Sequence, residues 1–187
     1  ANGFLIKKAK EFGFADVYGS EISLKAIDSA DSSIKKYILQ GPFNPDNYEK
    51  NSFDVVFFAM IIEHFDNPNN FIRDVYKILK PGGLLIGIAH DEKHLLARLL
   101  KNNHPIINDE HISVFDKKTL KQIMKKNFFN VIKIDNLKNY YSLEYWVTMT
   151  PILEIFKKLT LFILKMFRLN KKLIGVKAGN IYIICNK

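Results

Sequence analysis

One cysteine, Cys185, stands in 187 residues. A lone thiol excludes an intramolecular disulfide and a cysteine-based metal site, and it suits a reducing, cytoplasmic compartment. Long apolar runs are missing as well. Lysines interrupt the most hydrophobic stretch, residues 151–169, before it reaches the roughly 20 apolar residues that a membrane-crossing helix needs. No serine sits in a nucleophile-elbow pattern, so hydrolase chemistry has no support. Acids are fewer than bases, 19 against 28, for a net charge of +9. The imbalance is local. Residues 151–187 hold eight Lys or Arg and one acid, Glu154, whereas residues 1–150 carry a net charge of only +2. A nucleic-acid groove spread across the main body is therefore not expected.

The most informative stretch is 52–88. Residues 53–58 form a short apolar run between polar neighbours, as in a strand buried on both faces. Asn67-Pro68 opens a helix, because Asn caps well and Pro fits the first turn. Phe71, Ile72, Val75, Ile78 and Leu79 recur on one face of it. Lys80-Pro81-Gly82-Gly83 reads as the stop, and residues 84–88 start a second buried strand. Strand, helix and strand in this order predict a right-handed βαβ unit, hence a parallel sheet with helices on its faces.

Taken together, FDVV, IIEHFDNP and LKPGG before an apolar strand resemble the central part of class I S-adenosylmethionine-dependent methyltransferases, in the small-molecule branch of that superfamily. The resemblance implies an α/β, Rossmann-like doubly wound sheet, mostly parallel, with an antiparallel last strand and a helical insertion before it. Another doubly wound α/β domain is the alternative. Residues 1–187 are expected to form one domain, with residues 138–178 as its variable insertion.

The resemblance assigns roles along the chain. Residues 4–12 repeat apolar positions in a helical way, with Gly13 as the stop. Gly3 matches the last of the spaced glycines that approach the cofactor's methionine part. A strand and the earlier glycines would precede it, so a segment upstream of Ala1 is expected. Residues 16–20 read as a strand that ends at Glu21, where a carboxylate can accept both ribose hydroxyls of the cofactor. Ile22 would pack on adenine. A helix over 23–30 and a strand over 34–39 follow, and Pro42 and Phe43 flank the adenine in place of an acid. Ala59 and Met60 line the pocket beside the sulfonium methyl. His64, His90 and His111 are candidate bases for the acceptor, and each is also readable as a structural residue. No convincing metal site appears; His90 and His94, four apart, do not share a helix in this reading. A short helix is expected over 94–100. Asp116 caps a helix over 117–126 that buries Leu120, Ile123 and Met124. A strand follows over 128–134.

Between them and the closing strand, 180–185, lies the basic segment. On a helical wheel Glu154, Lys157, Lys158, Lys165 and Arg168 share an arc of about 100°, and most of the rest is Ile, Leu, Phe and Met. Two readings compete: peripheral contact with a membrane surface through 151–172, or burial against the domain or in a homodimer. The closing strand is expected to run antiparallel between strands 84–88 and 128–134. The function implied is direct displacement of the methyl of S-adenosylmethionine by a small-molecule or lipid- or sugar-linked acceptor. A degenerate fold serving as a binding module, and a dinucleotide or nucleotide-sugar enzyme, are the alternatives.

Overall fold

A computed structural model describes residues 2–92, 112–150 and 152–187. The chain forms two compact units, Ala1–Glu49 and Lys50–Lys187.

In the first unit, helix α1 (Phe4–Glu11) precedes strand β1 (Gly19–Glu21), helix α2 (Leu24–Asp28) and strand β2 (Ile38–Gln40). β1 and β2 pair in parallel, Gly19 opposite Ile38 and Glu21 opposite Gln40. Both strands are shorter than the sequence suggests. Residues 35–37, expected as strand, form a 3-10 turn. The Tyr37 N–H closes it on the Ile34 carbonyl (3.0 Å), directly after a turn in which the Asp31 side chain accepts the Ser33 N–H (3.0 Å) and its carbonyl the Ile34 N–H (3.0 Å). The ammonium groups of Lys10 and Lys36 then cover the Tyr37 ring.

The second unit is built on a four-stranded sheet in the order Phe53–Ala59 (β3), Leu79–His90 (β4), Asn180–Asn186 (β8) and Asn130–Asn136 (β5). β3 (Phe53–Ala59), α3 (Pro68–Ile78) and β4 (Leu79–His90) form the expected βαβ unit, with β3 and β4 parallel. Asn67 caps α3 through its side chain, and Phe71, Ile72, Val75 and Ile78 are buried, as their spacing requires. The Lys80–Gly83 stretch is not a terminal turn. It is an irregularity inside β4, between the Phe53–Leu79 and Val55–Leu84 pairs. The far end of the chain holds it there: the Gly82 N–H donates to the Lys187 carbonyl (3.1 Å) and the Lys187 N–H to that of Gly83 (3.0 Å). The Lys187 ammonium donates to the Tyr76 and Leu79 carbonyls, both at 2.7 Å, neutralising the negative end of α3.

Helix α4 (Lys117–Lys126) has the expected boundaries, with Asp116 and Thr119 in a capping box. Leu120 and Met124 are buried; Ile123 is half-buried. β5 (Asn130–Asn136) begins two residues later than expected, because Phe128 takes a left-handed turn at φ 68° and stays exposed. β8 (Asn180–Asn186) lies antiparallel between β4 and β5, which confirms the placement expected of the closing strand. The segment before β8 is not purely helical. β6 (Asn139–Ser142) and β7 (Leu173–Val176) form an antiparallel pair, and helices α5 (Leu143–Met149) and α6 (Glu154–Met166) lie between them in sequence.

Candidate active site

The sequence-derived residues fall in both units. In the first, Gly3 is buried at the N-terminus of α1 with φ 74°, and a Cβ there would overlap the Ile34 side chain. Glu21 ends β1. Its carboxylate accepts the Ser23 N–H (2.8 Å) and its carbonyl accepts the Gly41 N–H (2.9 Å). The second bond ties the carboxyl ends of the two strands together, and the first fixes the turn after β1. Next to Glu21, Ile22 is 72% exposed. Pro42 is exposed and Phe43 half-buried; the Phe43 ring stacks on Tyr48 with centroids 6.2 Å apart. Glu21, Ile22, Pro42 and Phe43 thus share one end of the β1–β2 pair.

In the second unit, β3 ends at Ala59, and the Met60 N–H donates to the Ile88 carbonyl (2.8 Å). Met60 adopts φ 51°, a sparsely populated conformation for a residue with a side chain. A 3-10 turn over Ile62–His64 follows. It buries Glu63 and leaves His64 exposed. The Glu63 carboxylate accepts the His90 N–H at 2.7 Å through Oε1. Its main-chain carbonyl accepts the N–H groups of Ile112 (3.0 Å) and Ser113 (3.1 Å). Among the described residues Oε2 of Glu63 has no hydrogen-bond partner. His90 pairs with Asn180 across the β4–β8 register, and its Nδ1 lies 3.0 Å from Asn180 Oδ1. Asp91 follows, buried, its N–H donating to the Gly179 carbonyl (2.8 Å).

The structure therefore gathers Ala59, Met60, Glu63 and His90 at the carboxyl edges of β3 and β4, where doubly wound folds bind ligands. His111 and the helix expected over 94–100 lie outside the described residues. Sequence reasoning missed Asn180, which reads only as the first residue of a strand; its meeting with His90 depends on a register that no local pattern encodes. It also did not separate Glu63 from His64, since spacing alone does not say which of two adjacent polar residues turns inward.

A parallel sheet with βαβ connectivity and one inserted antiparallel strand defines the Rossmann-like class of methyl-transferring folds. The solved structures agree. An S-adenosylmethionine-dependent methyltransferase from Archaeoglobus fulgidus matches with a TM-score of 0.66 at 18% identity, covering 100% of this chain and 82% of that one. Another from Mesorhizobium loti matches with a TM-score of 0.62 at 11% identity, covering 99% and 86%. At such identities the likeness concerns the fold. The family model for the methyltransferase domain matches residues 1–134. The chain belongs to that family and is an S-adenosylmethionine-dependent methyltransferase.

Proposed function

We propose that this enzyme methylates a small-molecule or lipid-linked acceptor, and that His90 is foremost among His64, His90 and His111 as the base. The observation that carries the reading is the double hold on His90, its main chain by Glu63 and its ring by Asn180. An acceptor hydroxyl gives up its proton as it attacks and an amine after it has taken the methyl, and a fixed imidazole at the carboxyl edge is suited to receive that proton.

The residues of the first unit fit the cofactor. Glu21 offers a half-buried carboxylate for a ribose diol, and exposed Ile22 offers an apolar face for adenine, with the Phe43 ring in the same cluster. Gly3 sets no side-chain cap on the N-terminal amides of α1. Ala59 and Met60 supply a small, apolar lining for the methyl. When bound, the sulfonium activates the methyl by itself, so the protein's task is alignment and water exclusion.

Calorimetry with S-adenosylhomocysteine on the full-length protein tests the cofactor assignment. Glu21→Ala is expected to weaken binding by about 10- to 100-fold, the loss of a charge-assisted pair of hydrogen bonds. Unchanged affinity removes Glu21 from the site. Incorporation of labelled methyl into small-molecule or lipid-extract fractions tests the acceptor class; label recovered only in protein or nucleic acid rejects it.

A further inference from the structure

Helix α6 buries none of its residues. It packs on α5, and its half-buried residues Lys157, Thr160, Leu161 and Leu164 share one side. The opposite side is apolar and open. Ile155 is 72% exposed, Phe156 56%, Leu159 57%, Phe162 66%, Ile163 42% and Met166 60%. At about 100° per residue these six fall within an arc of roughly 120°. Lys158 and Lys165 border that arc, and Arg168, Lys171 and Lys172 follow the helix in sequence, all exposed.

Charge selects the occupant. The only acid of residues 151–187, Glu154, is 3.0 Å from Lys157, on the side away from the apolar centre. Lys165 reaches Glu144 at 3.6 Å. Lys158 at the border of the face, together with Arg168, Lys171 and Lys172 just after the helix, leaves the segment strongly positive. A second copy of the chain would bring the same positive charge against itself, without an acidic counterpart on this segment. An anionic bilayer supplies both complements, acyl chains for the face and phosphates for the charge. Among the described residues no helix is long and apolar enough to cross a membrane, which leaves a surface-parallel mode.

We propose that α6 lies in the interface of an anionic bilayer. Ile155, Leu159, Phe162 and Met166 enter the acyl boundary, and Lys158, Arg168, Lys171 and Lys172 meet lipid phosphates. The proposal does not rest on the acceptor reading, although it would bring a lipid-linked acceptor within reach.

The test is flotation of the full-length protein with vesicles of phosphatidylcholine alone or mixed with phosphatidylglycerol. Co-flotation is expected only with the anionic mixture and should weaken as salt rises. Lys171→Glu combined with Lys172→Glu should lower partitioning by more than about tenfold. Leu159→Glu combined with Phe162→Glu should lower it by about 100-fold. These positions are exposed, so unchanged circular dichroism is expected of each variant. Absence of wild-type co-flotation overturns the proposal, as does co-flotation unaffected by the Leu159→Glu and Phe162→Glu pair. A concentration-dependent dimer that the same pair abolishes, without flotation, assigns the face to a second copy instead and equally overturns it.

Discussion

His90 Nδ1 and Asn180 Oδ1 lie 3.0 Å apart across the β4–β8 register. The Asn180 amide turns its oxygen to the ring, and an amide oxygen accepts, so in this arrangement Nδ1 is the donor; a neutral ring then keeps its lone pair on Nε2. An unrestrained neutral imidazole favours the other tautomer. Nitrogen-15 spectra of the His90 ring should therefore show the Nδ1–H form in the wild-type protein. Asn180→Leu should return the ring to the Nε2–H form, whereas Asn180→Asp, which keeps an acceptor, should retain Nδ1–H. A wild-type ring already in the Nε2–H form would refute the assignment without any variant.

Glu63 joins three segments. It holds the His90 N–H through its carboxylate and Ile112 and Ser113 through its carbonyl, while almost wholly buried. Glu63→Ala strands the His90 N–H and opens a small cavity. A loss of about 2–4 kcal/mol is expected, lowering the melting temperature by roughly 2–4 °C for each kcal/mol in a chain of this size. Glu63→Gln keeps an acceptor oxygen and should cost less than half of that. Equal melting temperatures for Glu63→Ala and wild type would show that the buried carboxylate holds nothing in place.

What the sequence showed and what it hid divide along local and long-range causes. α3 and α4 were legible because helical spacing, Asn67-Pro68 and the Asp116 cap all act within a few residues. The position of β8 came through resemblance, and the register confirms it. Lys80–Gly83 looked like a stop because proline and glycine usually are one; the Lys187 main chain, distant in sequence, keeps that stretch in the strand. β6 and β7 are four residues each, too short for a period-2 signal, and exist through their pairing. In the site, Glu21 and the 59–64 edge were readable as candidates from their places after strands. Asn180 was not, because its role arises from a cross-strand neighbour.

Gly87 sits opposite Phe58 in the β3–β4 register. A Cβ at residue 87 would stand 2.7 Å from Phe58 Cε1 and 2.9 Å from Cε2. The ring has little room to yield: Phe58 is 3% exposed and meets Phe71 edge-on at 5.4 Å. Gly87→Ala should destabilise by about 1–3 kcal/mol through overpacking. Phe58→Leu should recover part of that loss, so the two changes are expected to be non-additive in chemical denaturation. Simple additivity would mean that the ring and residue 87 do not compete for the same space.

Cys185 lies on the inward face of β8, between Leu85 of β4 and Val131 of β5, with no exposed surface. Burial disfavours the thiolate and pushes its pKa up to about 12. The thiolate is the reactive form, so both access and ionisation oppose modification. An aromatic disulfide reagent at pH 8 should leave the native protein unlabelled over minutes and label it completely in guanidinium. Because β8 is the strand that joins β4 to β5, slow native labelling should follow opening of the sheet and accelerate with denaturant. Rapid labelling of the native protein would mean that β8 detaches far more readily than its buried Ile181, Ile183 and Cys185 side chains imply.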